Sequence, residues 1–182
     1  MKSRYLTSLA FLTATASVIY IVESLIFRML PLPFLRLGLS NIVVLYLVWN
    51  RRIFSAVIVN LAKSIVGGVA TFTLLSPTVI LSVSGGFIAV LIMSAGLLMR
   101  PRFSLIGISI LGAISHNLTQ LVLARYLIIT NDSLFVLTPI LILFGLISGI
   151  ITAYISYYLE EKIPALKAST WKKEKDSTDS AR

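Results

Sequence analysis

The chain has 182 residues, 57% of them hydrophobic and 13% charged, with a mean hydropathy of +0.95 and a net charge of +9. These proportions exclude an ordinary water-soluble domain, and the absence of cysteine excludes disulfides and thiolate metal sites. Long apolar runs without strand-like alternation leave transmembrane helices, rather than a closed barrel, as the way to pair every backbone group in lipid.

Runs of roughly 20 apolar residues predict an all-α, six-transmembrane-helix bundle. The first span, Tyr5 to Phe27, carries a small-residue seam, Ala10-xxx-Ala14, able to dock another helix, and places Tyr20 and Glu23 on one face. Lys2 and Arg4 followed by Ala14-Thr15-Ala16 also fit a cleavable signal peptide, but the apolar run continues to Phe27, as a spanning helix requires; intact mass separates the two. The second span, Pro33 to Trp49, is interrupted by Arg36 and Gly38. Only Leu39 to Trp49 remains as clean apolar helix, about 16 Å at 1.5 Å per residue, so a broken or re-entrant segment is expected, with Asn41 at its start.

The third span, Ile53 to Leu75, puts Asn60, Lys63, Ser64, Gly67 and Thr71 on one helical stripe. The fourth, Thr78 to Met99, holds Ser82-Val83-Ser84-Gly85-Gly86, which suits either close helix packing or exposure of backbone to a ligand. The fifth, Phe103 to Ile129, carries His116 and Gln120 on one face with Asn117 beside them, then Thr119 and Arg125. The sixth, Leu134 to Leu159, contains Gly145-xxx-Gly149, a packing signal. Beyond Glu160 the composition turns to Lys, Ser, Thr and Asp, giving one domain over residues 1–161 and a basic cytoplasmic tail over 162–182 with no capacity to build a core.

Lysine and arginine set the orientation. With both termini in the cytoplasm of a cell membrane, the inner segments hold Lys2, Arg4, Arg51, Arg52, Arg100, Arg102 and the basic tail, whereas the outer ones hold Arg28 and Arg36. The net positive charge is therefore read as contact with anionic headgroups, not with nucleic acid. Trp171 among the tail lysines fits the same surface.

Ionisable residues inside spans cost on the order of 3 kcal/mol each on insertion scales, so Glu23, Lys63, His116 and Arg125 are functional candidates. Counting from the cytoplasmic ends puts Lys63 and His116 near the midplane and Glu23 and Arg125 in the outer half. Asn60 or Thr119 alone would only bond a neighbouring helix, Arg125 would snorkel to the interface, and Glu23 with Lys63 would form a structural ion pair. Taken together, the cluster reads as the lining of a cavity open to the outside. No G-x-x-x-x-G-K-[ST] is present, so the chain does not hydrolyse nucleotide by the P-loop route. A single histidine without cysteine argues against zinc or haem, and no cofactor is expected.

Glu23, the R-L-G-L-S-N run from Arg36 to Asn41, Lys63 with Gly67, L-S-V-S-G-G from Leu81 to Gly86 and H-N-L-T-Q from His116 to Gln120 together resemble the Gx transporter family, also called heptaprenyl diphosphate synthase component I. The resemblance spans roughly Tyr5 to Glu160. It implies an arginine where this chain has Lys63, which keeps the charge but gives up bidentate recognition. The family is similar to the substrate-binding S components of energy-coupling factor transporters: six helices, both termini inside, and no ATPase of their own. In those systems a small-residue motif on the first helix, matched here by Ala10 and Ala14, docks a transmembrane coupling subunit, and paired ATPases supply energy.

The implied role is a non-enzymatic binding subunit for a small, anionic organic molecule. Lys63, Arg36 and His116 would meet the negative groups, Asn41, Asn117 and Gln120 would orient the molecule, Glu23 would pair with a cation or donor, and Ser82, Gly85 and Gly86 would offer backbone. The alternative is a membrane subunit that anchors a polyprenyl diphosphate synthase. Its catalysis would reside elsewhere, because magnesium-diphosphate chemistry needs clustered carboxylates and the aspartates here are Asp132, Asp176 and Asp179. A third possibility is a structural partner whose polar residues only hold helices together.

Overall fold

A computed structural model describes residues 2–27, 38–99, 103–129 and 131–162. Arg36 and the tail beyond Lys162 lie outside the described residues. The described chain is all helical: α1 (Lys2–Phe27), α2 (Asn41–Trp49), α3 (Ile53–Ala70), α4 (Pro77–Leu98), α5 (Leu105–Leu127) and α6 (Thr138–Lys162), with a short 3-10 helix over Asp132–Leu137. Five of these regions are long and apolar enough to cross a membrane: Leu6–Ile26, Ile53–Ala70, Pro77–Leu98, Leu105–Leu127 and Ser133–Glu161. The exception is α2. Its nine residues rise only about 14 Å, close to the short clean helix expected at the end of the second segment. The third span is shorter than expected, ending at Ala70 rather than Leu75.

Local chemistry accounts for the helix ends. Ser76 caps α4, accepting the Thr78 N–H at 3.4 Å with Pro77 in the first turn, and Ser104 caps α5, accepting the Gly107 N–H at 3.2 Å. Both α2 and α3 close with paired backbone bonds that swing the chain out of the helix. The Arg52 N–H reaches Leu47 O at 2.8 Å and Arg51 N–H reaches Val48 O at 2.9 Å. Likewise the Thr73 N–H reaches Gly68 O at 2.8 Å and Phe72 N–H reaches Val69 O at 3.1 Å. In each motif the left-handed position is held by a residue other than glycine, Arg51 at φ 57° and Phe72 at φ 55°.

Close contacts fix the helix directions. Gly67 of α3 lies against the Tyr20 ring, which brings the C-terminal halves of α1 and α3 together. Gly86 of α4 packs on Asn60 and Gly68 on Val79, so α4 runs opposite to α3. Gly112 of α5 meets Met93, and Gly145 and Gly149 of α6 meet Ile114 and Ile110, which continues the alternation.

Among these helices α2 is central, touching α1, α3, α4 and α6. Every residue from Asn41 to Val48 is buried. That explains why a helix rich in Val and Ile is apolar on all sides: it has no outer face, and burial outweighs a modest helix propensity. One apolar core surrounds α2 and includes Leu12, Ala56, Val90, Met93, Ile108 and Ala153. A second, formed by Leu81, Leu121, Ala124, Leu134 and Leu141, joins α4, α5 and α6 toward the other end.

Candidate functional site

The α1 carboxylate and the α3 ammonium converge on the first turn of α2. Glu23, one turn from the end of α1, is 4% exposed; its two oxygens accept the N–H of Gly38 and, at 3.4 Å, the N–H of Ser40. Lys63 is 1% exposed and donates to Ser40 Oγ at 3.1 Å and to Asn41 Oδ1. Ser40 therefore joins the two charges, giving its backbone N–H to the anion and its hydroxyl oxygen to the cation. Such bonds are what make buried charge tolerable, since a carboxylate or ammonium removed from water without them costs several kcal/mol.

The backbone here is shaped for this task. Gly38 adopts φ +73°, a left-handed conformation that a side chain disfavours, and a Cβ on it would stand 3.1 Å from the Asn41 amide nitrogen. The Asn41 N–H bonds Gly38 O at 2.9 Å and Ile42 N–H bonds Leu39 O at 3.0 Å, so the turn leads directly into α2. Ser40 does not cap the helix with its side chain. Its hydroxyl serves Lys63 instead.

From Lys63 the polar layer extends across α3, α4 and α5. Ser64 Oγ lies 3.5 Å from Ser82 Oγ and donates to Asn60 O at 3.0 Å. The Asn60 amide donates to Val83 O at 3.3 Å, while its oxygen rests on Gly86 with no hydrogen-bond partner among the described residues. On the opposite side of that turn Gly85 faces His116 and Gln120; an added methyl would stand 3.1 Å from His116 Nδ1, the His116 carbonyl oxygen and Gln120 Cγ. His116, Asn117, Gln120, Ser82, Gly85 and Gly86 are all buried. Asn117 turns toward α6, donating to Leu141 O at 3.1 Å.

Several polar groups in the spans are occupied locally. Thr119 Oγ1 donates to Ser115 O at 2.7 Å and Thr71 Oγ1 to Gly67 O at 2.7 Å, each within its own helix. Arg125, in the last turn of α5, is half-buried with its guanidinium 5.9 Å from the Tyr126 ring centroid. Ala10 and Ala14 are set apart from the polar layer. Both are exposed and line an apolar groove of about 620 Å³ between α1 and α3, with Leu6, Leu9, Ile58 and Val66. The groove stays apolar because the Thr13 hydroxyl donates to Leu9 O and the Ser17 hydroxyl to Thr13 O, each at 2.8 Å.

Sequence reasoning passed over Ser40, Gly38 and Ser24 as site residues. A serine immediately before an apolar helical run is a start signal, which could have drawn attention to Ser40. Nothing in the sequence marks Ser24, whose buried hydroxyl has no hydrogen-bond partner among the described residues. Among the described residues no three His, Asp or Glu side chains gather in a metal-binding group.

No curated protein and no solved structure matches this chain. The family described as heptaprenyl diphosphate synthase component I matches residues 12–159, a stretch that contains Glu23, Ser40, Lys63, His116 and Gln120. A match of that extent, covering all of the buried polar layer, places this multi-helix, membrane-type chain in the heptaprenyl diphosphate synthase component I family.

Proposed function

We propose that the chain is the membrane-embedded binding subunit of a larger assembly, taking up a small organic anion from outside the cell while separate coupling and ATPase subunits supply the energy. The observation that carries this reading is the Glu23–Ser40–Lys63 junction, continued through Ser64 and Ser82 toward His116 and Gln120. A bundle needing only stability gains little from buried charge, because well-packed apolar residues do as well or better. Ionisable groups brought from different helices to one level of a membrane bundle are typical of a place that handles a polar solute.

In this reading Lys63 and Arg36 supply positive charge, and His116, Asn41, Asn117 and Gln120 orient the molecule. Ser82, Gly85 and Gly86 let backbone approach it, and Ala10 and Ala14 seat the coupling subunit. Both termini then face the cytoplasm. The test is mass spectrometry of small molecules released on denaturing the gently purified protein, repeated for Lys63→Ala and His116→Ala. A specific organic anion in the wild type that is lost from both variants is the expected result. Unchanged retention in both would remove the site.

The family match favours a second reading, in which the chain anchors a soluble prenyl-chain synthase at the membrane. Catalysis would then lie in the partner. Copurification from native membranes separates the two: a coupling subunit with ATPases supports uptake, whereas a prenyl synthase supports the anchor.

A further inference from the structure

We propose that Glu23 is an internal stand-in for the bound molecule, and that this molecule presents a single carboxylate which takes Glu23's place on Gly38, Ser40 and the Lys63 junction. The inference rests on the binding-subunit reading and narrows it to a chemical class and an autoinhibitory contact.

Three observations carry it. The Glu23 carboxylate gives each of its oxygens a separate backbone donor, Oε1 to the Gly38 N–H and Oε2 to the Ser40 N–H. Donors two residues apart that each engage one oxygen of a planar group are matched to a carboxylate. Charge is the second observation. Lys63 brings positive charge to this turn, donating to Ser40 Oγ and to Asn41 Oδ1. A single carboxylate in place of Glu23 leaves the charge of the junction unchanged, whereas a diphosphate adds to it. The third is position. Glu23 lies four residues before Phe27, the last residue of α1, about 6 Å along the helix axis. A carboxylate released there can turn toward the headgroup level, where water solvates it. Exchange of one carboxylate for another conserves the number of hydrogen bonds and the net charge of the turn.

The proposal predicts that removing Glu23 improves binding of an external carboxylate. A residue that itself contacts a cationic part of the ligand, or that only holds helices together, gives the opposite sign. The experiment uses the full chain in detergent micelles with acetate as probe, and phosphate and chloride as controls at matched ionic strength. Acetate should raise the melting temperature of Glu23→Ala by a few degrees, about 3 °C, whereas phosphate and chloride should not, and the wild type should respond to none of them. An equal response to all three anions, or to none, from a helical, folded Glu23→Ala overturns the proposal.

If Glu23→Ala does not fold, the near-isosteric Glu23→Gln decides. Equilibrium binding of radiolabelled acetate should be about tenfold tighter than in the wild type, and lost again when Lys63→Met is added. Equal or weaker acetate binding by Glu23→Gln refutes the exchange. Failure of this proposal is distinguishable from failure of the binding-subunit reading. A molecule retained by the wild type through Lys63 and His116 that lacks a carboxylate ends the former and leaves the latter standing.

Discussion

At the residue scale the decisive position is Ser40, because it lets two opposite charges be buried without direct exposure to lipid. Removing one charge should therefore cost more than removing both. Lys63→Met leaves the Glu23 carboxylate buried without its compensating cation and should destabilise the bundle by about 3 kcal/mol, read from denaturant or thermal unfolding in detergent. Adding Glu23→Gln to Lys63→Met should restore part of that loss, and a double variant no better than the single one would show that the two charges are not coupled. A second prediction concerns backbone strain. Phe72 is 98% exposed yet sits at φ 55° in the turn that ends α3. The left-handed conformation costs a residue with a side chain about 1 kcal/mol more than it costs glycine. Phe72→Gly should consequently raise the melting temperature slightly despite the loss of a large side chain, since that side chain makes almost no internal contact.

At the element scale, the α5–α6 pair shows how small residues set helix separation. A Cβ added to Gly149 would come 2.7 Å from Ile110 Cα and 3.0 Å from its nitrogen. Backbone cannot yield as a flexible side chain can. Ser109 Oγ also donates to Gly149 O across this crossing at 2.7 Å, so any separation of the helices breaks a hydrogen bond in an apolar setting. Gly149→Ala should destabilise the fold by about 2 kcal/mol, measured by unfolding, whereas Ala95→Gly on the exposed part of α4 should change stability only by its helix propensity, about 1 kcal/mol. The half-length α2 is an element of a different kind. Its Val- and Ile-rich sequence is compatible with a buried strand or helix, and enclosure by α1, α3, α4 and α6 makes helix the conformation that satisfies its own backbone.

At the scale of the whole molecule, alternating helix directions place Leu75 and Met99 at opposite ends of the bundle, at the two ends of α4. The chain contains no cysteine, so single cysteines can be introduced without background. With the expected orientation, Leu75→Cys should react with a membrane-impermeant thiol reagent added to intact cells, and Met99→Cys only after the membrane is permeabilised. The reverse pattern would invert the topology and place the Glu23 end of the bundle on the cytoplasmic side. Both positions are exposed, so neither substitution disturbs the interior.

The sequence alone determined the solvent, the helical class and five of the long spans, because hydrophobic length is a local property that lipid reads directly. It also identified most of the buried polar residues, since charge within an apolar run is conspicuous whatever the fold. The interruption at Arg36 and Gly38 was sufficient to mark α2 as irregular. Only the tertiary structure decided that α2 is the enclosed centre of the bundle and that Glu23 and Lys63 meet through Ser40. It also assigned Asn117 to α6 and separated Ala10 and Ala14 from the polar layer. These outcomes depend on how helices far apart in sequence rotate and shift against one another. Those degrees of freedom are fixed by close approaches such as Gly86 on Asn60 and Gly149 on Ile110, which helical periodicity within a single span does not encode.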